Sequence, residues 1–210
     1  MKTVLLTGGT GYIGSHTAVE LINSGYKVVI VDNLTNSSIN SIDGIHKITR
    51  VKPDFVKADC SVFSEMQALF DKYNGFNSII HFAALKAVGE SVEKPLEYYH
   101  NNLSSLINLL QLMKKWGGGN LVFSSSCTVY GQPDVLPVTE KSPYKPATSP
   151  YGNTKKIAED IIRDTTNVSD SVKGVALRYF NPIGAHPSSE IGELPLGKPD
   201  NLIPFITQTA

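Results

Sequence analysis

Tyr151 and Lys155 are the residues of this 210-residue sequence whose types and spacing most directly indicate chemistry. They stand near the start of a helical pattern, and a separation of four residues places both side chains on one helix face. A phenol with a pKa of ~10 is a poor base at neutral pH. Nearby positive charges favour the phenolate, so such a pair can take a proton from a hydroxyl group and later return it.

Hydroxyl side chains cluster in the segment Ser124–Thr128, directly after an apolar run that predicts a strand. On their own, a tyrosine and a lysine at this spacing are common on solvated helix faces. The carboxyl end of a parallel strand, however, is where doubly wound α/β folds bind their ligands. We therefore expect the hydroxyl cluster and the Tyr–Lys pair to belong to one site.

A glycine-rich turn, Thr7–Gly14, lies between the first predicted strand and the first predicted helix. Its G-x-G-x-x-G spacing lets the backbone approach a pyrophosphate, which the helix N-terminus then favours electrostatically. In isolation the motif could equally be a plain turn. Here the next strand ends at Asp32, 18 residues after Gly14. A carboxylate there binds ribose hydroxyls and repels a 2′-phosphate, which predicts NAD rather than NADP.

Short apolar runs alternate with longer helical patterns along the whole chain. The predicted strands are Thr3–Thr7, Lys27–Val31, Asp54–Ala58, Ser78–Phe82, Asn120–Ser124 and Val175–Tyr179. The predicted helices are Tyr12–Ser24, Phe63–Tyr73, Pro95–Trp116, Pro150–Thr166 and Leu202–Ala210, and Asn33–Asp43 is predicted to be a loop. This alternation predicts an α/β fold, a doubly wound parallel sheet of the Rossmann type.

Composition excludes several classes of protein. Nineteen Lys and Arg balance nineteen Asp and Glu, which argues against a nucleic-acid or membrane partner. The first apolar run, Val4–Leu6, is too short for a signal peptide, and no run approaches the ~18 residues of a membrane span. Two cysteines suit a reducing compartment, so we expect a cytoplasmic protein. The five histidines lack metal-binding spacing, and we expect no metal.

Longer strings carry a more specific signal than the glycine motif. They are Thr7–His16, Asp32–Leu34 with Asn36 and Ser37, His81–Pro95 (HFAALKAVGESVEKP), Tyr98–Asn102, Phe123–Gly131 (FSSSCTVYG), Pro150–Lys155 and Arg178–Pro187 (RYFNPIGAHP). Through these strings the chain resembles the extended short-chain dehydrogenase/reductases, and among them the sugar-nucleotide 4-epimerases of the NAD-dependent epimerase/dehydratase family. The resemblance extends over essentially the whole chain.

The resemblance implies which residues hold the NAD cofactor. Those expected at the pyrophosphate are Gly8, Gly11, Tyr12, Ile13 and Gly14. Those expected around the adenosine are Asp32, Asn33, Asn36, Ser37, Asp59 and Cys60. Those expected along the rest of the cofactor are Phe82, Ala83, Ala84, Lys86, Asn101, Ser126, Tyr151, Lys155, Tyr179 and Phe180, with the last two flanking the nicotinamide.

The resemblance also implies catalytic roles. Tyr151 would be the base, Lys155 its electrostatic partner and ribose anchor, and Ser126 and Thr128 the hydroxyls near the C4 oxygen of the sugar. The residues expected to contact the UDP-glucose or UDP-galactose substrate are Lys86, Ser126, Tyr151, Asn181, Asn201 and Leu202.

The implied reaction is the reversible epimerisation of UDP-glucose and UDP-galactose at C4, a step of galactose metabolism. The C4 hydrogen is not acidic, so the stereocentre is lost by oxidation to a 4-ketone. The hydride would pass from C4 to NAD and return to the other face of the sugar. The cofactor is regenerated in each cycle and should stay bound, while the protein supplies position and electrostatics.

Two other activities compete with epimerisation. A 4,6-dehydratase is disfavoured because Ser125–Gly131 lacks the acid and base that this reaction needs. A non-enzymatic NAD-binding module is the stronger alternative. We expect residues 1–180 to form the NAD-binding domain with the Tyr–Lys pair, and residues 181–210 to begin a substrate-binding region that is largely absent from this chain.

The long predicted helix after Pro95 indicates a partner. Its first apolar face is Leu103, Leu106, Ile107, Leu110 and Met113, and its second is Leu109, Leu112 and Trp116. If one face packs on the sheet, the other needs a cover. We therefore expect a homodimer formed through this helix and the helix that begins at Tyr151, which is also what the resemblance implies.

Overall fold

The structure is a computed structural model that describes residues 1–195, 199 and 202–209. Its strands are β1 (Thr3–Thr7), β2 (Lys27–Asp32), β3 (Asp54–Lys57), β4 (Ser78–His81), β5 (Gly119–Ser126) and β6 (Val172–Tyr179). Its helices are α1 (Tyr12–Asn23), α2 (Asn40–Thr49), α3 (Phe63–Tyr73), α4 (Val88–Glu93), α5 (Pro95–Lys115), α6 (Pro150–Asn167) and α7 (Leu202–Thr209), with a 3₁₀ turn at Cys127–Tyr130.

The six strands form one parallel sheet in the order β3-β2-β1-β4-β5-β6. This order confirms the predicted doubly wound fold. The direction of winding changes between β1 and β4, and ligands of such folds bind at the carboxyl ends of the strands beside that change. The sheet therefore places the glycine-rich turn after β1 next to the strand ends of β4 and β5.

Each face of the sheet has its own hydrophobic core, because side chains alternate along a strand. Leu5 of β1 packs into the core beneath α3, α5 and α6. Its neighbour Leu6 packs on the opposite face with Ile30 and with the α2 residues Ile42 and Ile45. Buried strands covered on both faces are typical of parallel sheets.

Helix α2 is absent from the sequence-based prediction, which placed a loop over Asn33–Asp43 and predicted no helix after it. The helix buries Ile42 and Ile45 against the sheet. Its other positions are mostly polar, so its apolar stripe is too short to be recognised as a helical period. Helix α4 and the 3₁₀ turn were missed for the same reason, since each is shorter than two helical turns.

The prediction that helix α5 has an apolar face in need of a partner is wrong. Leu109 and Leu112, assigned to that second face, lie in the same core as Leu106 and Met113. Helices α3 and α6 pack beside α5 in addition to the sheet, so the chain itself covers both faces. The large apolar side chains that stay exposed on α5 are Leu96 and, in part, Ile107.

The segment that follows β6 crosses back over the first half of the sheet. The Tyr12 hydroxyl donates to the Gly184 carbonyl at 2.5 Å, and Lys47 pairs with Glu190 at 2.9 Å. Ile191 packs into the core of α1 and α2. Gly44 permits this approach, because a Cβ there would lie 2.5 Å from the Glu190 carbonyl oxygen. Part of the chain beyond residue 180 therefore rests on α1 and α2.

Along the described part of the chain, no helix is both long and apolar enough to cross a lipid bilayer.

Candidate active site

A cleft of about 350 Å³ runs along the carboxyl ends of the strands. Its volume is within the range of small-molecule and cofactor sites. Every residue expected from the sequence to hold the cofactor lines this cleft, and so do Thr128 and Asn181. The sequence motifs, scattered over residues 8 to 181, thus meet in one place.

Of the expected substrate residues, one is not described by the structure and one does not line the cleft. Asn201 lies outside the described residues. Leu202 opens α7 with an exposed side chain and does not line the cleft. Ser124, Ser125 and Cys127 of the predicted hydroxyl segment also line the cleft. Several further lining residues were not anticipated: Thr35, Ala58, Leu85, Val88, Ser105, Pro182 and Glu193. Most adjoin a recognised motif, and adjacency could have found them. Glu193 has no such signal, because only the returning segment brings it there.

The glycine-rich turn is a close-packed cradle. Gly8 adopts a left-handed conformation with φ +67°, and a Cβ there would lie 2.7 Å from the Ala83 nitrogen. A Cβ on Gly14 would lie 2.3 Å from the Gly8 carbonyl oxygen. The N-cap of α1 is Gly11, which has no side chain to occupy the helix N-terminus. The cradle therefore fits a diphosphate, which such N-termini bind through backbone N–H groups.

Asp32 stands at the end of β2, where its carboxylate organises the neighbouring loop. One oxygen accepts from the Leu34 amide and the Ser37 hydroxyl, both at 2.9 Å, and the other accepts from the Thr10 amide at 3.3 Å. These bonds hold the carboxylate beside the glycine-rich turn. The position suits a hydrogen-bond acceptor for the ribose of a dinucleotide.

Beyond Asp32, the cleft is closed by Asn33 and Asp59, whose side chains share a hydrogen bond of 3.1 Å. The neighbouring Cys60 is buried. Burial raises the pKa of the Cys60 thiol, so this side chain lines the cleft as an uncharged thiol and does not act as a nucleophile.

Helix α6 carries the Tyr–Lys pair into the cleft. Ser149 caps the helix, accepting from the Gly152 amide at 3.1 Å. The buried Lys155 ammonium donates to the Ser124 carbonyl at 2.8 Å and lies 4.8 Å from the centre of the Phe123 ring. Burial lowers the pKa of Lys155 to about 8.

The Tyr151 phenol is largely buried in the wall of the cleft. Burial raises the pKa of Tyr151 above its usual value, although the Ser126 side chain acts in the opposite direction. The Lys155 ammonium lies 5.8 Å from the Tyr151 ring centre and is bonded to the strand carbonyl instead. The protein's own groups therefore hold Tyr151 as a protonated phenol, and its deprotonation requires additional positive charge in the cleft.

Two hydroxyls line the cleft here: Ser126 at the end of β5 and Thr128 in the 3₁₀ turn that follows. The Ser126 oxygen accepts from the Thr128 amide at 3.2 Å. The Thr128 hydroxyl is buried and has no hydrogen-bond partner among the described residues. Since leaving a buried polar group unsatisfied costs about 1–3 kcal/mol, this hydroxyl favours a polar ligand beside it.

His81 has a structural role behind the cleft. Its Nδ1 lies 2.6 Å from the Thr7 hydroxyl oxygen, which also accepts from the Ala83 amide at 3.3 Å. Burial, together with the Lys155 charge, lowers the pKa of His81 to about 3. The imidazole is thus neutral at ordinary pH and orders the backbone beside the glycine-rich turn. Among the described residues, no three His, Cys, Asp or Glu side chains come together as a metal site.

Comparison with known proteins gives matches over nearly the whole chain. Residues 4–204 match the model of the NAD-dependent epimerase/dehydratase family. The chain is 51% identical over 207 residues to UDP-glucose 4-epimerase of Haemophilus influenzae, covering 99% of the chain and 61% of that protein. It is 50% identical over 212 residues to UDP-glucose 4-epimerase 2 of Arabidopsis thaliana, covering 100% of the chain and 60% of that protein.

A solved structure matches equally well. UDP-glucose 4-epimerase from Bifidobacterium longum, in complex with NAD⁺ and UDP, superposes with a TM-score of 0.94 at 47% identity. The alignment covers 98% of the chain and 61% of that structure. The chain therefore spans about three fifths of the length of the relatives that it matches.

Proposed function

The chain belongs to the NAD-dependent epimerase/dehydratase family, and from this premise we propose that it interconverts UDP-glucose and UDP-galactose at C4 of the sugar. One observation carries the proposal. The Tyr151–Lys155 pair, the Ser126 and Thr128 hydroxyls and the glycine cradle line the same cleft. The names of the relatives support the choice of substrate.

The cleft residues fit NAD, as the cradle and the carboxylate at β2 indicate. The glycine-rich turn and the N-terminus of α1 would hold the diphosphate, Asp32 the adenosine ribose, and Tyr179 and Phe180 the nicotinamide end. When bound, NAD supplies the acceptor and donor for the hydride of sugar C4.

The chain's own residues would handle the proton. Tyr151 would take the proton of the sugar 4-hydroxyl and return it, acting first as base and then as acid. Because burial raises the Tyr151 pKa, this transfer relies on positive charge from Lys155 and from the cofactor. Ser126 and the unpartnered Thr128 hydroxyl would hold the C4 oxygen in line with the phenol.

On the substrate side, we propose the division suggested by the sequence, with residues 1–180 for the cofactor and 181–210 beginning the sugar-nucleotide region. Lys86 and Asn181 line the cleft and would contact the substrate. The roles of Asn201 and Leu202 stay predictions.

The activity is tested by giving the purified chain UDP-galactose and measuring UDP-glucose formation together with the bound cofactor. The proposal predicts NAD bound near one per chain and formation of UDP-glucose. Tightly bound NADP, or conversion that does not depend on the bound cofactor, would contradict it.

Cofactor preference gives a sharper prediction at Asp32. Asp32→Asn keeps an acceptor for the Leu34 and Ser37 bonds but removes the negative charge. We expect the preference for NAD over NADP to fall by about tenfold, since the charge no longer repels the 2′-phosphate. Fluorescence titration with NADH and NADPH measures both affinities. Asp43→Asn, on the exposed side of α2, is the matched control, and an equal change there would refute the assignment.

A second candidate function is an NAD-binding module with little turnover by itself. The observation that favours it is exposed apolar surface beyond the cleft, at Val175 and Leu177 of β6 and at Leu202 and Ile206 of α7. Contacts to remote parts of a substrate position the reacting part, and the relatives carry further residues. Retention of NAD after gel filtration with very slow conversion of UDP-galactose would identify this module.

We also propose a homodimer, now through a smaller surface than the sequence suggested. The exposed apolar residues of α5 are Leu96 and Ile107, and the partly buried Leu103 lies between them on the same side of the helix. Ile107→Glu should raise the dimer dissociation constant at least tenfold because it places a charge in the apolar contact.

The control for this prediction is Asn23→Asp, which adds the same charge to an exposed position of α1, on the other face of the sheet. Light scattering over a wide concentration range measures both variants. A chain that is monomeric throughout that range, or an equal effect of both substitutions, would contradict the proposed interface.

A cytoplasmic setting is proposed as well. Both cysteines, Cys60 and Cys127, are free thiols, as suits a reducing compartment.

A further inference from the structure

Glu159 is a buried acid that the proposed chemistry does not use. Its side chain is 7% exposed, and it lies on α6 one turn beyond Lys155. The spacing of four residues repeats, so Tyr151, Lys155 and Glu159 occupy one stripe of the helix. Carboxylates are seldom buried unless they are paired, and this one is paired with Arg178 and bonded to Ser125, which lines the cleft.

Each residue of the stripe meets one of three consecutive serines on β5. Lys155 donates to the carbonyl of Ser124. The Ser125 hydroxyl donates to one oxygen of Glu159. Tyr151, at the other end of the stripe, interacts with Ser126. The Ser125–Glu159 pair contributes no group to the proposed reaction, yet its hydrogen bond joins α6 to β5.

Arg178 ties two more elements to the same carboxylate. It stands on β6 directly opposite Ser125. Its Nε donates to Glu159 Oε1 at 3.0 Å and its Nη2 to Oε2 at 2.8 Å. Its Nη1 donates at 2.8 Å to the hydroxyl of Tyr130, the last residue of the 3₁₀ turn that carries Thr128.

Two aromatic rings hold the guanidinium in place. Its central carbon lies 5.0 Å from the ring centre of Tyr130 and 4.8 Å from that of Tyr144. The Tyr144 hydroxyl also donates to Glu159 Oε2 at 2.6 Å. Bidentate pairing and stacking on aromatic faces are the two contacts that a guanidinium makes and an ammonium does not. The arrangement is therefore specific in geometry as well as in charge.

The pair does not titrate in the range where the Tyr–Lys pair must work. Burial alone would raise the pKa of Glu159, but the hydrogen bonds from Arg178, Ser125 and Tyr144 outweigh it and hold that pKa below its usual value. The bond to Glu159 likewise raises the pKa of Arg178. Both groups stay charged, and their opposite charges are paired with each other.

We propose that Glu159 and Arg178 are positioning residues that lock α6, β5, β6 and the 3₁₀ turn in one register and thereby place Ser126 and Thr128 against Tyr151. This inference rests on the proposed function for its catalytic consequence. Its structural consequence, the placement of the hydroxyls, can be measured on the chain without turnover.

The test is Glu159→Gln, which keeps the side-chain volume but removes the charge and one acceptor oxygen. We expect the Thr128 amide, which donates to Ser126, to exchange its hydrogen about tenfold faster, the effect of losing one hydrogen bond. Where the chain turns over, kcat should fall by about 100-fold, as for a reacting group displaced by about 1 Å, with KM nearly unchanged.

Two further variants keep the test decisive. Ser125→Ala removes only the hydroxyl that joins β5 to Glu159 and should give the same local change if Glu159→Gln fails to fold. Asp160→Asn breaks the exposed pair with Arg163 on the same helix and should leave Thr128 exchange and kcat unchanged.

Unchanged exchange at Thr128 in a folded Glu159→Gln chain would overturn the proposal. So would a uniform rise in exchange across the sheet, which would indicate a purely structural role. Faster exchange confined to the 3₁₀ turn supports the positioning role even in a chain without epimerase activity, so failure of the proposed function is distinguishable.

Discussion

Replacing Tyr151 by phenylalanine is expected to lower the rate of epimerisation by ~10²–10⁴-fold, the loss typical of removing a positioned acid and base. The ring remains, so the walls of the cleft and the binding of NAD should be preserved. The substitution removes the hydroxyl that would take and return the proton, and the neighbouring Lys155 ammonium is engaged by the Ser124 carbonyl. His81, with a pKa of about 3, lies behind the cleft and is engaged by Thr7.

The measurement is the steady-state rate of UDP-galactose conversion, with bound NAD quantified in the same preparation. Tyr26→Phe is the matched control, since that tyrosine lies on the surface away from the cleft. Turnover close to that of the unsubstituted chain in Tyr151→Phe would refute the assignment of the acid and base.

Gly14→Ala should remove tightly bound NAD. A Cβ at this position would lie 2.3 Å from the Gly8 carbonyl oxygen and 2.7 Å from the Gly9 Cα. Both contacts are with backbone atoms. No flexible side chain can move aside to relieve them, so the turn itself must shift. Overpacking of this kind costs about 1–3 kcal/mol, and the same shift spoils the diphosphate cradle. We expect NAD affinity to fall by about 10- to 100-fold.

Calorimetric titration with NAD measures that affinity, and thermal unfolding measures the accompanying loss of stability. Gly89→Ala is the control, because a Cβ there would meet nothing within 4 Å. Equal NAD affinity for Gly14→Ala and the unsubstituted chain would show that the turn does not cradle the cofactor.

The sheet was predictable because its signals are local. Each strand is a short apolar run bounded by glycine or polar residues, and the alternation with helices dictates parallel pairing. Helix α2 was not predictable in this way. Its burial depends on Ile42 and Ile45 meeting the sheet and on Gly44 accommodating a segment more than 140 residues away.

The cofactor side of the site was also predictable. The glycine-rich turn, Asp32 and the Tyr–Lys pair can each be recognised from a short stretch of sequence. The environment of these residues was not predictable from local patterns. The spacing of Tyr151 and Lys155 shows that they are neighbours, but it does not show that burial dominates the Tyr151 pKa. Similarly, the leucines of α5 reveal an apolar helix, whereas only the packing shows that α3 and α6 cover it.

The hydrogen-bond network of Glu159 and Arg178 could not be predicted from local sequence patterns. Glu159 resembles any charged residue of a solvated helix until β6 places Arg178 opposite Ser125. Tertiary contact alone converts these residues into a buried pair, and sequence spacing contains no sign of it.

Under the proposed function, this chain would oxidise and re-reduce the C4 carbon of a UDP-sugar within one cleft. The most direct test uses UDP-galactose with deuterium at C4, incubated with the purified chain and its bound NAD, with the product examined by NMR. The account predicts UDP-glucose that retains deuterium at C4, since the hydride returns to the sugar that lost it. UDP-glucose with hydrogen from solvent at C4, or an NAD-loaded chain that forms no UDP-glucose, would contradict it.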